Sequence, residues 1–123
     1  MTPAQVVKLM RQGADRAAVA EAGAKALQSQ SFKDMDDAVA AAGGILALAM
    51  ALERHTASAG VCKQVSGALV SLALSSPQRK ASIVAAGAIP LLAAAFRTHG
   101  GRAKAWAHEA LKTLGYDDDG KAM

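Results

Sequence analysis

The chain is predicted to be all-α, and three observations carry that reading. Its apolar content is largely Ala, Leu and Val, its helix start and stop residues recur at close intervals, and one block of sequence returns after 44 residues. Hydrophobic residues make up 52% of the chain and aromatics only 3%, so the core must be assembled from slender, closely spaced helices. Ala and Leu are strong helix formers, whereas the β-branched and aromatic residues that favour strands are scattered. A length of 123 residues implies one domain with a single core.

The punctuation divides the chain into eight helices. Thr2-Pro3-Ala4-Gln5 has the form of a capping box, with Thr as the cap, Pro at the first helical position and Gln at the third. A first helix should run from there to about Arg11. Gly13 suits the left-handed position past its end, and Asp15 can cap a second helix running to about Ser29. Ser31 can cap a third, Phe32 to Ala42, which stops at Gly43-Gly44. Ile45, Leu48, Ala49 and Leu52 mark one face of a fourth, and Val61, Val65, Leu69 and Leu72 form the stripe of a fifth. Ser76-Pro77 opens a sixth that closes at Gly87. Pro90 lies in the first turn of a seventh that reaches about Thr98, with Ile89, Leu92 and Phe96 inward. After Gly100-Gly101 an eighth, about Arg102 to Leu114, buries Ala107, Ala110, Leu111 and Leu114, and Gly115 ends it. No linker divides residues 1–115, and residues 116–123 read as a polar, solvated tail.

The recurrence is more informative than any single helix. Val39 to Ile45 (VAAAGGI) returns as Ile83 to Ile89 (IVAAGAI), and the same shift aligns Leu48 with Leu92, Leu52 with Phe96 and His55 with His99. Gly67 to Leu72 matches Glu109 to Leu114 after a two-residue deletion in the connecting loop. A period in the forties with three helices per unit falls in the armadillo and HEAT range. The segment Ile83-Val-Ala-Ala-Gly-Ala-Ile-Pro90 resembles the armadillo signature that joins a short first helix to the second, and the "AL-x-x-L" end of the third helix agrees. HEAT repeats are the nearest rival. The resemblance implies a right-handed α-solenoid of about two and two-thirds repeats: a partial unit over residues 2–30 and full units over 32–74 and 77–115. Gly43 and Gly87 fit it physically, since each stands where a short helix must turn sharply into the next and a positive φ is needed.

Composition also limits function. A single cysteine, Cys62, allows no internal disulfide and no Cys-rich zinc framework, which points to an intracellular, cytoplasmic setting. The interior of an organelle is the alternative if the chain is a trimmed mature form. The longest uncharged apolar run, Ala38 to Leu52, has 15 residues, short of the roughly 18 to 20 a membrane span needs. The net charge of +4 is unevenly spread: residues 54–116 hold 8 basic and 1 acidic side chains, against 5 and 6 in residues 1–53. A basic middle segment bears on partners and solubility.

Armadillo proteins often hold an extended peptide through a ladder of asparagines, and this chain contains none. By the resemblance the ladder would fall at Ser71 and Thr113, with Ala26 as the rough counterpart, and short hydroxyls lack the paired donor and acceptor of an amide. The family's groove tryptophan would sit nearer Glu109 than Trp106. Trp106 is thus a candidate either for a partner anchor or for core packing at the edge of the last repeat. His55, His99 and His108 do not suggest a metal site, and Cys62 has no histidine at helical spacing to activate it. No Ser-His-Asp order, paired carboxylates or phosphate loop is present. The Asp117-Asp118-Asp119 run lacks the ligand spacing of a calcium loop.

The expectation is therefore a noncatalytic protein-interaction module that needs no cofactor, with two surfaces for partners. One is the basic set Arg79, Lys80, Arg97, Arg102, Lys104 and Lys112, which could take an acidic protein face or serve only to keep Ala-rich helices soluble. Nucleic acid fits poorly, because stacking aromatics are absent. The other is the N-terminal edge around Val6, Val7, Leu9 and Met10, which lacks a preceding helix to cover it. Membership of a larger protein complex, or a homo-oligomer, follows from that open edge.

Overall fold

Each helix begins or ends where a residue with the right backbone chemistry stands. The computed structural model describes residues 2–31, 36–74 and 76–123, and among them there are eight α-helices and no strand element. The elements are α1 (Pro3–Gln12), α2 (Ala17–Ser31), α3 (Asp36–Ala41), α4 (Gly44–Arg54), α5 (Ala59–Ala73), α6 (Pro77–Ala85), α7 (Ala88–Thr98) and α8 (Gly101–Leu114). The Thr2 capping box is complete, with the Gln5 N–H donating to Thr2 Oγ1 and the Thr2 N–H donating to Gln5 Oε1. Ser58 and Ser76 cap α5 and α6 through the Val61 and Arg79 N–H groups. Gly43 and Gly87 share φ +85° and ψ +22°, the left-handed geometry their position demands. Across Gly87, α6 and α7 meet at 77°.

Two local expectations fail near the N-terminus. Gly13 has φ −106°, not a left-handed value. It is required by close approach instead, since a Cβ there would stand 2.7 Å from Val19 Cγ1. Asp15 does not cap the second helix, which starts at Ala17. Its carboxylate pairs with Arg54 of α4, and the first-turn N–H groups of Val19 and Ala20 donate to the Arg16 carbonyl. Ser31 is the last residue of α2, and the expected start of the third helix at Phe32 lies outside the described residues.

α5 lies against both α2 and α8, and α4 lies against both α1 and α7. One core runs through these contacts, built from Leu27, Leu48, Leu52, Leu69, Leu72, Ile83, Leu92 and Leu111, all fully buried, with Ala filling the closest approaches. The stripe Val61, Val65, Leu69 and Leu72 faces this core, as do Ile45, Leu48, Ala49 and Leu52 of α4. Phe96 departs from expectation: it is half-buried, with the Lys104 ammonium 4.5 Å from its ring centre. No single described helix is long and apolar enough to cross a membrane.

The polar C-terminal segment takes up a defined turn. It leaves α8 through Gly115 at φ +91° and folds back on itself. The Asp117 N–H donates to the Lys121 carbonyl, the Met123 N–H to the Gly115 carbonyl, and Asp117 Oδ1 accepts from the Asp119 and Lys121 N–H groups. Gly120 lies over Ile89 and Ala93 of α7.

Candidate interaction surfaces

The basic residues separate once their partners are located. Arg79 is half-buried and already engaged by groups of its own fold. Its Nε donates to the Leu72 carbonyl at 2.6 Å, its NH1 to Asp37 at 2.6 Å, and its NH2 stands 3.6 Å from Asp36. The guanidinium therefore ties the end of α5 to α3, and its side chain is 17% exposed. Lys80 is half-buried on α6, whereas Arg97, Arg102, Lys104 and Lys112 are exposed on α7 and α8. Trp106 is half-buried on α8 beside the buried Ala107, and Glu109 is exposed. Lys112 borders a shallow depression with His108, Tyr116 and Asp118, in which His108 Nδ1 and Asp118 Oδ1 are 2.7 Å apart.

At the N-terminal edge the expected residues are buried in the packing of α1, and Val6 and Met10 also line a groove. Val6, Val7 and Met10 are 3%, 3% and 5% exposed, because α1 turns them onto α2 and α4. The large apolar side chain left open is Leu9. It borders a groove between α1 and α2 that also takes in Val6, Met10, Arg16, Val19, Ala22 and Ala26. Gly23 shapes its floor, since a Cβ there would strike Met10 Cγ. This edge was legible in the sequence as the apolar set Val6, Val7, Leu9 and Met10 of α1.

No family model, curated protein or solved structure matches the chain. What the surfaces can do is therefore argued from their own chemistry. The would-be ladder position Ser71 is buried, and its hydroxyl donates to the Gly67 carbonyl of its own helix. It offers nothing to a peptide backbone. Thr113 and Ala26 are half-buried.

The reactive side chains are likewise turned inward. Burial pushes the Cys62 thiol up to about 11, and its Sγ donates to the Thr56 carbonyl at 3.4 Å, so thiolate is scarce at neutral pH. His55 and His99 bond backbone carbonyls of Ala14 and Thr56. Among the described residues, no three of His, Cys, Asp and Glu converge on a point that could hold a metal ion.

Proposed function

We propose that the chain is a noncatalytic protein-interaction module of the armadillo type, a right-handed stack of about two and two-thirds repeats that serves as a structural subunit of a larger assembly. The observation that carries this is the recurrence of conformation along with sequence. Gly43 and Gly87 adopt the same left-handed turn, and His55 and His99, also 44 residues apart, make the same kind of bond to a loop carbonyl one unit back. A stack of this length is close to the minimum of about three repeats, and its ends need cover. The test is native purification followed by size measurement and identification of companions. A stable complex of defined stoichiometry is expected, and a soluble monomer with no companion would overturn the subunit reading.

One observation favours a second reading, an adaptor for acidic segments. The chain's own acidic tail folds onto the basic repeat, with Asp118 on His108 and Arg97, Arg102, Lys104 and Lys112 exposed nearby on α7 and α8. Such an adaptor should lose affinity steeply as salt rises, whereas packing through apolar ends should not. Replacing Arg97, Arg102 and Lys104 with Glu tests it: unchanged partner binding rules it out.

A further inference from the structure

The two ends of the molecule are finished differently, and the internal recurrence makes the comparison residue by residue. Lys104, His108 and Lys112 of α8 stand where α5 has Cys62, Ser66 and Val70. Cys62 and Ser66 are fully buried. At the C-terminal end these small positions have become a polar row, across which the tail folds through Asp118. That end is closed.

The N-terminal end is open at the matching places. The carbonyls reached by the two histidines, on Ala14 and Thr56, set a shift of 42 residues between α1 and α4, so Leu9 corresponds to Ala51. Ala51 is 7% exposed and shares a small cavity with Met10, Ala14 and Ala20 of the preceding unit. Its next counterpart, Ala95, is fully buried. Leu9, by contrast, is 44% exposed. By the armadillo resemblance Ala26 of α2 is the rough counterpart of Ser71 of α5, one turn after Gly67. Ser71 and Gly67 are both buried, and Gly67 lies under Gln28 of the preceding unit. What covers this face in the later units is a helix.

Charge narrows the occupant further. Arg16 borders the groove, Lys25 lies one turn from Ala22, and Lys8 lies one turn from Gln12, all three exposed. The two acidic residues of the same unit face away: Asp15 pairs with Arg54, and the Glu21 carboxylate lies over Gly60 of α5. A second copy docked head to tail would press Lys104, His108 and Lys112 into an apolar groove, and head to head would oppose two basic rims. An extended peptide would leave its N–H and C=O groups unpaired over a floor whose polar side chains are only Gln12 and Arg16.

We propose that the groove between α1 and α2 is the docking site for an acidic amphipathic helix of a partner protein, with its apolar face on Leu9, Val19 and Ala22 and its carboxylates toward Lys8, Arg16 and Lys25. This rests on the reading of the chain as an interaction module. The probe is a synthetic peptide of roughly 18 residues, with Ala and Leu at helical spacing and Glu on the flanks. A second peptide carries Lys in place of each Glu, and both are titrated against the full chain by fluorescence anisotropy. The acidic peptide should bind about tenfold or more tightly than the basic one. Leu9→Glu and Arg16→Glu should each weaken it about tenfold, with thermal unfolding unchanged because both sites are exposed, and Lys112→Glu should leave it as it was. Equal binding of the two peptides, or indifference to Leu9→Glu, overturns the proposal. So does a homodimer that Leu9→Glu dissolves, which would assign the groove to a second copy. A companion that stays with the Leu9→Glu chain through native purification would overturn the groove while leaving the module reading intact.

Discussion

His99 places its Nε2 2.6 Å from the carbonyl oxygen of Thr56, and the same arrangement joins His55 to Ala14 at 2.7 Å. Each histidine stands at the C-terminal cap of its helix, α4 or α7, and reaches a loop carbonyl 41 or 43 residues earlier. These bonds fasten the end of α4 to the turn after α1, and the end of α7 to the turn after α4. Replacing His99 with Ala removes the donor and leaves the half-buried carbonyl without it, so urea unfolding should show a loss of about 1–2 kcal/mol, and His55→Ala a similar one. Losses below about 0.3 kcal/mol at both positions would show that the bonds add nothing.

Arg79 makes a sharper case, because one guanidinium serves the Leu72 carbonyl and both Asp36 and Asp37. The Leu72 carbonyl belongs to the last turn of α5, where no helical N–H follows to claim it. Arg79→Ala should cost about 2–3 kcal/mol in denaturant unfolding. Arg79→Lys should recover only part of this, since an ammonium cannot fork between two groups. Arg97→Ala, at an exposed position, should stay within about 0.5 kcal/mol. Equal small effects at both sites would mean that Arg79 is a surface charge after all.

That contrast shows where sequence stops being legible. Caps and glycine turns are local, so Thr2, Ser76, Gly43 and Gly87 could be read directly from residue type and spacing. The stripes of α4 and α5 were legible for the same reason, as helical periodicity fixes a face. Arg79 could not be read that way. Its carboxylate partners are more than forty residues away in sequence, and nothing in a run of basic residues marks which of them is held by the fold. The N-terminal edge was placed on the right helix, but Val6, Val7, Leu9 and Met10 are all apolar, and only packing against α2 and α4 separates the exposed Leu9 from the three buried side chains. The role of Gly13 was misjudged for a related reason: a glycine needed for close approach to Val19 looks the same in sequence as one needed for a positive φ.

Cys62 offers a probe of how the middle unit opens. Burial raises its thiol to about 11 against an ordinary 9.0, so at pH 8 the folded chain holds almost no thiolate. Reaction with a disulfide reagent at pH 8 should be at least about a hundredfold slower than in denaturant. The sign for stability follows from the same shift. The folded state keeps its proton to higher pH than the unfolded state, so this contribution is complete below pH 9 and is lost as pH rises through about 11. Cys62→Ala should flatten the fall in stability over that alkaline range. Fast labelling of the folded chain at pH 8 would contradict the burial.

The folded tail makes the last prediction, and it turns on Gly120. Its φ is +82°, and a Cβ added there would stand 3.4 Å from Ile89 Cγ2. If the tail holds this turn over α7, Gly120→Ala should cost about 1–2 kcal/mol in thermal or urea unfolding, whereas in a loose tail the same change would cost nothing. Deleting residues 116–123 should cost about 1–3 kcal/mol, because Ile89 and Ala93, now buried, would lose their cover. Asp118→Asn separates packing from charge. The His108–Asp118 pair is partly exposed, at 48% and 38% for the two side chains, and such pairs contribute roughly 0–1 kcal/mol. A large loss from Asp118→Asn with none from Gly120→Ala would mean that the ion pair, and not the turn over α7, holds the tail in place.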